Sequence, residues 1–146
     1  PLISINSMEG KLSKPKKWTL SRWTDCQPHV GHENVLIHYI MEPKGMQTEE
    51  KAILLGRWRL TRHSLQPGKK GNFHTHPDGT SEHVFYVTSG HGQLKLDDEL
   101  QDIRTGDAIH VPPGVGHQSI NNGNEWLDLL VISSTTRRHP DEESFS

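Results

Sequence analysis

Histidines carry most of the chemistry that this sequence offers. His74 and His76 are separated by one residue, so on a strand their side chains share a face, because alternate residues point to the same side of a sheet. His117 follows a Pro-Pro-Gly turn further along the chain. Neighbouring hairpins can bring this third ring opposite the first pair. The spacing therefore predicts that these imidazoles converge on one metal ion.

A fourth ligand position is open to one of two adjacent residues, Glu82 and His83. Neighbours on a strand point to opposite faces, so only one of them can face the interior. Counting back from the turn at Gly90 places His83 on the inner face, with Phe85 and Val87. Glu82 then faces away, unless a β-bulge at the start of the strand re-aims it. His83 is the predicted fourth ligand and Glu82 the second choice.

Imidazole nitrogens favour a transition metal. They suit Zn, Cu, Fe and Ni, and Mn less well, whereas Mg and Ca prefer oxygen ligands. We predict one divalent ion per chain, chosen from Fe, Mn, Ni, Zn and Cu. An all-histidine ligand set leaves the ion its full positive charge, which favours an enolate, a carboxylate or a phenolate as bound molecule. A closed structural zinc site is less favoured, because such sites typically contain cysteine.

Short strands between glycine and proline turns must position these rings. The predicted strands run over residues 35–41, 52–65, 73–76, 83–88, 93–96, 101–104, 108–111, 118–120 and 126–132. Short strands separated by such closely spaced turns are typical of antiparallel hairpins in a sandwich or barrel. The region shows no helical period. The predicted fold class is all-β.

Three stretches of the chain differ in character. Residues 1–51 are predicted to form an N-terminal arm, unstructured over 1–17, and a strand extension that joins the main sheet or a partner's. Residues 52–133 are predicted to form a barrel with the metal site. Residues 134–146 are polar and are predicted to be a flexible tail.

Composition excludes several classes of partner. A chain of 146 residues with 31% hydrophobic content fits one compact domain. A net charge of -2 without a basic stripe argues against nucleic acid. The longest apolar stretch, 127–132, is far below the roughly 20 residues that span a bilayer, so no membrane contact is expected. A single cysteine, Cys26, fits a reducing compartment, and we expect a cytoplasmic protein.

The two histidine blocks resemble the motifs of the cupin superfamily. The second cupin motif, Gly-x5-Pro-x-Gly-x2-His-x3-Asn, is matched at every fixed position. These positions are Gly106, Pro112, Gly114, His117 and Asn121.

The first cupin motif is matched at Gly68, His74, His76 and Gly90, but the chain departs from it in two ways. The loop over residues 77–82 is longer than usual, and histidine stands where glutamate is normal. This is similar to the four-histidine variant found among small single-domain cupins. The resemblance implies a double-stranded β-helix, the jelly-roll barrel of cupins, and metal binding, but it leaves the reaction open.

Further residues are candidates for the lining of a substrate pocket. Arg57 and Arg59 share a strand face and could hold an anion at the mouth of the barrel, although such arginines more often form a solvated face. Candidates for an apolar wall are Phe85, Val87, Trp58 and Trp126. The remaining histidines, at positions 29, 32, 38, 63, 91, 110 and 139, are interpreted as solvated or structural.

Three functional hypotheses follow, in this order. The first is a non-haem metal oxygenase that acts on an enolisable or aromatic small molecule with O₂. The second is a redox-neutral cyclase, lyase or isomerase that uses the metal as a Lewis acid. The third is a binding module in which the metal anchors a ligand without catalysis. We also predict a homodimer through the strands of residues 18–41, because an uncovered apolar edge would otherwise promote aggregation.

Overall fold

The computed structural model of the chain describes residues 18–43, 52–76 and 81–135. The predicted arm over 1–17 and residues 136–146 of the predicted tail lie outside these ranges, while Ser134 and Thr135 end the last strand. No helix in the described part of the chain has the length and apolar character needed to cross a membrane.

Ten strands and one short 3-10 helix make up the described chain. The helix, Trp23–Asp25, precedes β1 (Pro28–Gly31), β2 (Val35–Pro43), β3 (Ala52–Leu54), β4 (Trp58–Leu65), β5 (Ser81–Ser89), β6 (His91–Leu96), β7 (Glu99–Arg104), β8 (Ala108–Val111), β9 (His117–Ile120) and β10 (Leu127–Thr135). The all-β prediction is confirmed.

The strands form two sheets. The larger sheet has the order β1-β2-β4-β10-β5-β8, with β3 beside β2, and the smaller one has the order β7-β6-β9. Every pairing is antiparallel except that of β2 with β3. The N-terminal strands β1 and β2 therefore extend the main sheet of the same chain, next to β4.

The core lies between the two sheets, because both contribute to one buried cluster. Leu94 and Ile103 come from the smaller sheet, and they pack with Leu65, Phe85 and Leu129 of the larger one. Along β10 burial alternates residue by residue from Leu127 to Ile132. This alternation is the period of a strand with one face in the core, and it fixes which side chains of β10 point inward.

Two predicted strands differ from the structure. Residues 73–76 form an isolated bridge, His74 to His117, instead of a continuous strand. The stretch 52–65 is divided into β3 and β4 by a bend at residues 55–57, where Leu55 is 98% exposed. In both places the residues have a high propensity for β-strands, but their backbone is not hydrogen-bonded to a neighbour over the whole stretch. A continuous strand requires such pairing.

Candidate metal centre

A reciprocal backbone pair joins the two histidine blocks. The N–H of His74 donates to the carbonyl of His117 at 3.1 Å, and the N–H of His117 donates to the carbonyl of His74 at 2.9 Å. Residues that exchange both hydrogen bonds in an antiparallel pair lie directly opposite and project to the same face. The two imidazole rings accordingly meet, with centroids 4.4 Å apart.

A hydrogen bond to the backbone carbonyl two residues earlier orients each of these rings. Nδ1 of His74 lies 3.2 Å from the carbonyl oxygen of Asn72, and Nδ1 of His117 lies 3.1 Å from that of Val115. A carbonyl only accepts, so each neutral ring carries its proton on Nδ1 and leaves the Nε2 lone pair for a ligand. Metal-binding histidines are commonly oriented by such a hydrogen bond on the other ring nitrogen.

Three histidines form a tight group of candidate ligands. One nitrogen each of His74, His76 and His117 lies within 4.8 Å of the other two. Zinc bonds to histidine are about 2.0–2.1 Å long, so nitrogens bound to one ion are separated by about 4 Å or less. The observed spacing needs only a small adjustment of the rings to reach that geometry.

His83 stands beside this group and faces the same cavity. Its ring centroid is 4.7 Å from that of His76 and 5.2 Å from that of His117, but it does not belong to the group with mutual nitrogen distances below 4.8 Å. Within the described residues, its buried Nδ1 has no hydrogen-bond partner. A buried nitrogen without a partner is costly, and a metal ion would supply the missing interaction.

Glu82 lies on the other face of β5. Its exposed carboxylate accepts a hydrogen bond from Nε2 of His110 at 2.6 Å. His110 belongs to β8, the neighbouring strand, where it pairs with Val84. The side chain of Glu82 therefore points away from the histidine cavity.

The cavity around these rings has a volume of about 50 Å³. Six histidines contribute to its lining, namely His32, His63, His74, His76, His83 and His117. Phe85 and Val35 form part of the remaining wall.

Two of the six histidines, His32 and His63, were assigned no role from the sequence. His32 lies in the turn between β1 and β2, with a φ of 47°, and its ring stacks on His74 at 4.4 Å and 7°. His63 lies on β4, with its ring 6.1 Å from that of His32 and 6.4 Å from that of Phe85. His63 lies four residues after Arg59 on β4, so the two side chains share a face of the strand. The sequence alone could therefore have placed His63 on the inner face. No local sequence feature predicts that the turn with His32 folds over His74.

The rings that line the cavity are favoured in the neutral form. Burial, and then repulsion from the neighbouring histidines, lowers the pKa of His83 and of His63 to about 3. Burial likewise lowers the pKa of His117 to about 4, against an opposing contribution from the Val115 carbonyl. Burial and repulsion from His74 also lower the pKa of His32. Neutral imidazole is the form that binds a metal, so the cavity is prepared for one at neutral pH.

The other predicted lining residues fall into two groups. Arg57, Arg59 and Trp58 line a second cavity of about 250 Å³, which shares His76 and His83 with the first. Val87 is fully buried in the core, and Trp126 lies on a different part of the surface with Trp23 and Leu36. Neither Val87 nor Trp126 lines the histidine cavity, whereas Phe85 does.

Asn121, the last residue of the second block, is structural. It is buried, its amide donates to the carbonyls of Leu65 and Glu125, and its side-chain oxygen accepts from the N–H of Gly123. These bonds tie the end of β9 to β4. The asparagine thus supports the strand that carries His117.

Comparison with known proteins agrees with this architecture. The family model described as the cupin domain matches residues 61–133. The chain belongs to the cupin family. It is 37% identical over 124 residues to the uncharacterized protein MJ1618 of Methanocaldococcus jannaschii, which covers 84% of this chain and 91% of that protein.

Two further similar proteins have names that state an activity. The chain is 28% identical over 113 residues to a glucose-6-phosphate isomerase of Thermococcus kodakarensis, covering 68% of this chain and 57% of the isomerase. Its fold is similar to that of the polyketide cyclase RemF of Streptomyces resistomycificus, with a TM-score of 0.64 and 19% identity over 88% of this chain and 94% of that one. The predicted jelly-roll barrel is confirmed by the match to the cupin domain together with the two antiparallel sheets.

Proposed function

We propose that the chain is a metal-dependent cupin enzyme that acts on a small, anionic or enolisable organic molecule. The observation that carries the proposal is the group of His74, His76 and His117, whose nitrogens lie within 4.8 Å of one another. Two of these rings are locked by backbone carbonyls in the tautomer that a metal requires.

In this proposal His74, His76 and His117 hold one divalent transition metal, and His83 is the fourth ligand. All four donors are imidazoles, which fits Fe, Mn, Ni, Zn or Cu. When bound, such an ion polarises a carbonyl or carboxylate oxygen and lowers the pKa of a neighbouring C–H or O–H group.

The protein residues contribute orientation and exclusion of water. The carbonyls of Asn72 and Val115 fix two of the rings, and Phe85 and Val35 close the wall of the cavity. His63 lines the cavity but is a poor general base near neutral pH, because an efficient base has a pKa close to the working pH and that of His63 is about 3. A proton released by the substrate must therefore reach another acceptor.

The names of two similar proteins favour redox-neutral chemistry. Arginine and serine side chains line the cavity next to His76 and His83, and the named activities of the two similar proteins, an isomerase and a cyclase, do not require O₂. An oxygenase is the second candidate. It is favoured by the all-imidazole ligand set and by the apolar residues Phe85 and Val35 in the inner cavity.

The test is turnover under controlled oxygen. Protein purified without oxygen is loaded with Zn²⁺ or Fe²⁺ and incubated with small keto and hydroxy acids, diketones, catechols and hydroxyquinones. We expect conversion with Zn²⁺ in the absence of O₂, detected by NMR, and none with the His76→Ala variant. Consumption of O₂ that depends on Fe²⁺ would instead support the oxygenase. Metal-loaded protein that converts none of these classes would contradict both.

A further inference from the structure

The two neighbouring cavities differ in size, and the larger one offers more room for a substrate. The histidine cavity, at about 50 Å³, has room for an ion and a few waters, since one water needs about 10–15 Å³ of such space. The adjoining cavity, at about 250 Å³, can hold a small organic molecule. The larger part of a substrate therefore has more room in the second cavity, which reaches His76 and His83.

The second cavity, which we name the arginine–serine pocket, has an anion-binding character. It is lined by Arg57, Arg59, Ser81, Ser133 and Ser134, besides the two shared histidines and the apolar residues Trp58 and Pro43. Guanidinium and hydroxyl groups together provide the donors that carboxylates and phosphates bind.

Strand register explains why an arginine lies so close to the histidines. Arg59 on β4 is directly opposite Ser133 on β10, and Ser133 is directly opposite His83 on β5. Residues opposite each other in antiparallel strands project to the same face, so these three side chains form one row across the sheet. Neighbouring strands are about 4.8 Å apart, so the Cα atoms of Arg59 and His83 are separated by about 10 Å.

Arg59 is also restrained by a neighbour. Its guanidinium carbon lies 5.9 Å from the centroid of the Tyr39 ring on β2. Such a cation–π contact limits the conformations of a long side chain, and it reduces the entropy that binding would otherwise cost.

We propose that the arginine–serine pocket binds the anionic group, a carboxylate or a phosphate ester, of a substrate whose opposite end reaches the metal ligands His76 and His83. This inference rests on the proposed function and specifies its substrate class. The pocket volume is slightly below the roughly 300–1,000 Å³ typical of drug-sized ligands, so the substrate is a small organic acid or phosphate ester.

Calorimetric titration with malonate and with inorganic phosphate tests the proposal. Both probes are titrated into the metal-loaded and the metal-stripped protein, and into the double variant Arg57→Gln, Arg59→Gln. We expect the double variant to lose roughly tenfold or more in affinity in both states, because the loss of even one charge-assisted hydrogen bond weakens binding by about tenfold. A preference for malonate indicates a carboxylate, and a preference for phosphate indicates a phosphate ester.

The matched control is Arg104→Gln, which removes an exposed arginine from β7 of the smaller sheet and should leave both affinities unchanged. The single variant Arg59→Gln replaces the double variant if the latter does not fold. Arginine-dependent binding by wild-type protein that takes up no metal on reconstitution would support the pocket and contradict the metal site. Wild-type protein that binds neither anion, or a double variant that binds both as tightly as wild type, would overturn the inference.

Discussion

At the scale of single residues, the site depends on histidines that stay neutral. His74 and His117 each donate Nδ1–H to a carbonyl two residues earlier in the chain, and burial suppresses protonation of His63, His83 and His117. The spacing of the motif histidines predicted that His74, His76, His83 and His117 share a cavity, but it did not predict that His32 and His63 also line it. His63 could have been found by continuing the strand parity from Arg59.

Acid should destabilise the metal-stripped protein through these rings. Well above pH 6.5 these histidines are neutral in both the folded and the unfolded chain, so they add no pH dependence. Below pH 6.5 the unfolded chain takes up protons that the folded protein excludes, and stability falls until the pH approaches the folded pKa values of about 3 to 4. We expect the urea midpoint to decrease between pH 6.5 and pH 4.

The His63→Gln variant isolates this effect from the titration of carboxylates, because it removes one buried imidazole and should make the decrease shallower. An acid dependence that is identical in the variant and the wild type would contradict the assignment of His63 as a buried neutral ring.

At the scale of elements, turns and bridges position the site more than long strands do. The pair of His74 and His117 is an isolated bridge, followed along the chain by residues of β5 that bring His83 to the same cavity. The composition of 73–76 predicts a strand because sequence reports β propensity, whereas backbone pairing depends on what lies opposite. The glycine turns were predicted more accurately, because a positive φ selects glycine by local sterics alone.

Gly90 offers a test at this scale. It joins β5 to β6 with a φ of 81°, and a Cβ at this position would clash with the backbone carbonyl of Trp126. We expect Gly90→Ala to lower the free energy of unfolding by about 1–3 kcal/mol in urea titrations. Gly68→Ala is the matched control, since Gly68 has a φ of 76° and a Cβ there would contact nothing within 4 Å. Equal losses in both variants would contradict the predicted clash.

At the scale of the whole molecule, the N-terminal strands extend the larger sheet and leave apolar side chains in solvent. β1 forms an edge of that sheet, and Val30 on β1 is 74% exposed. Trp18 and Leu20, just before it in the chain, are also exposed. The sequence predicted the strand over 35–41, but it left open whether that strand joins its own sheet, since this is a tertiary property.

Dimerisation through residues 18–41 stays a prediction. Multi-angle light scattering should give the mass of two chains for the wild type and of one chain for Val30→Lys, because a lysine on the edge strand opposes association. Leu100→Lys is the control, since Leu100 is also exposed but belongs to β7 of the other sheet. A wild-type mass of one chain would contradict the predicted homodimer.

Metal content is the most direct measurement of the central claim. Protein purified without oxygen and reconstituted with Fe²⁺ or Zn²⁺ should contain one ion per chain by elemental analysis, and Glu82→Ala should retain it. His76→Ala and His117→Ala should contain none, and His83→Ala should bind the ion more weakly, because it removes one of the four imidazoles. Wild-type protein without stoichiometric metal, or full occupancy in His76→Ala and His117→Ala, would contradict a metal centre built from these histidines.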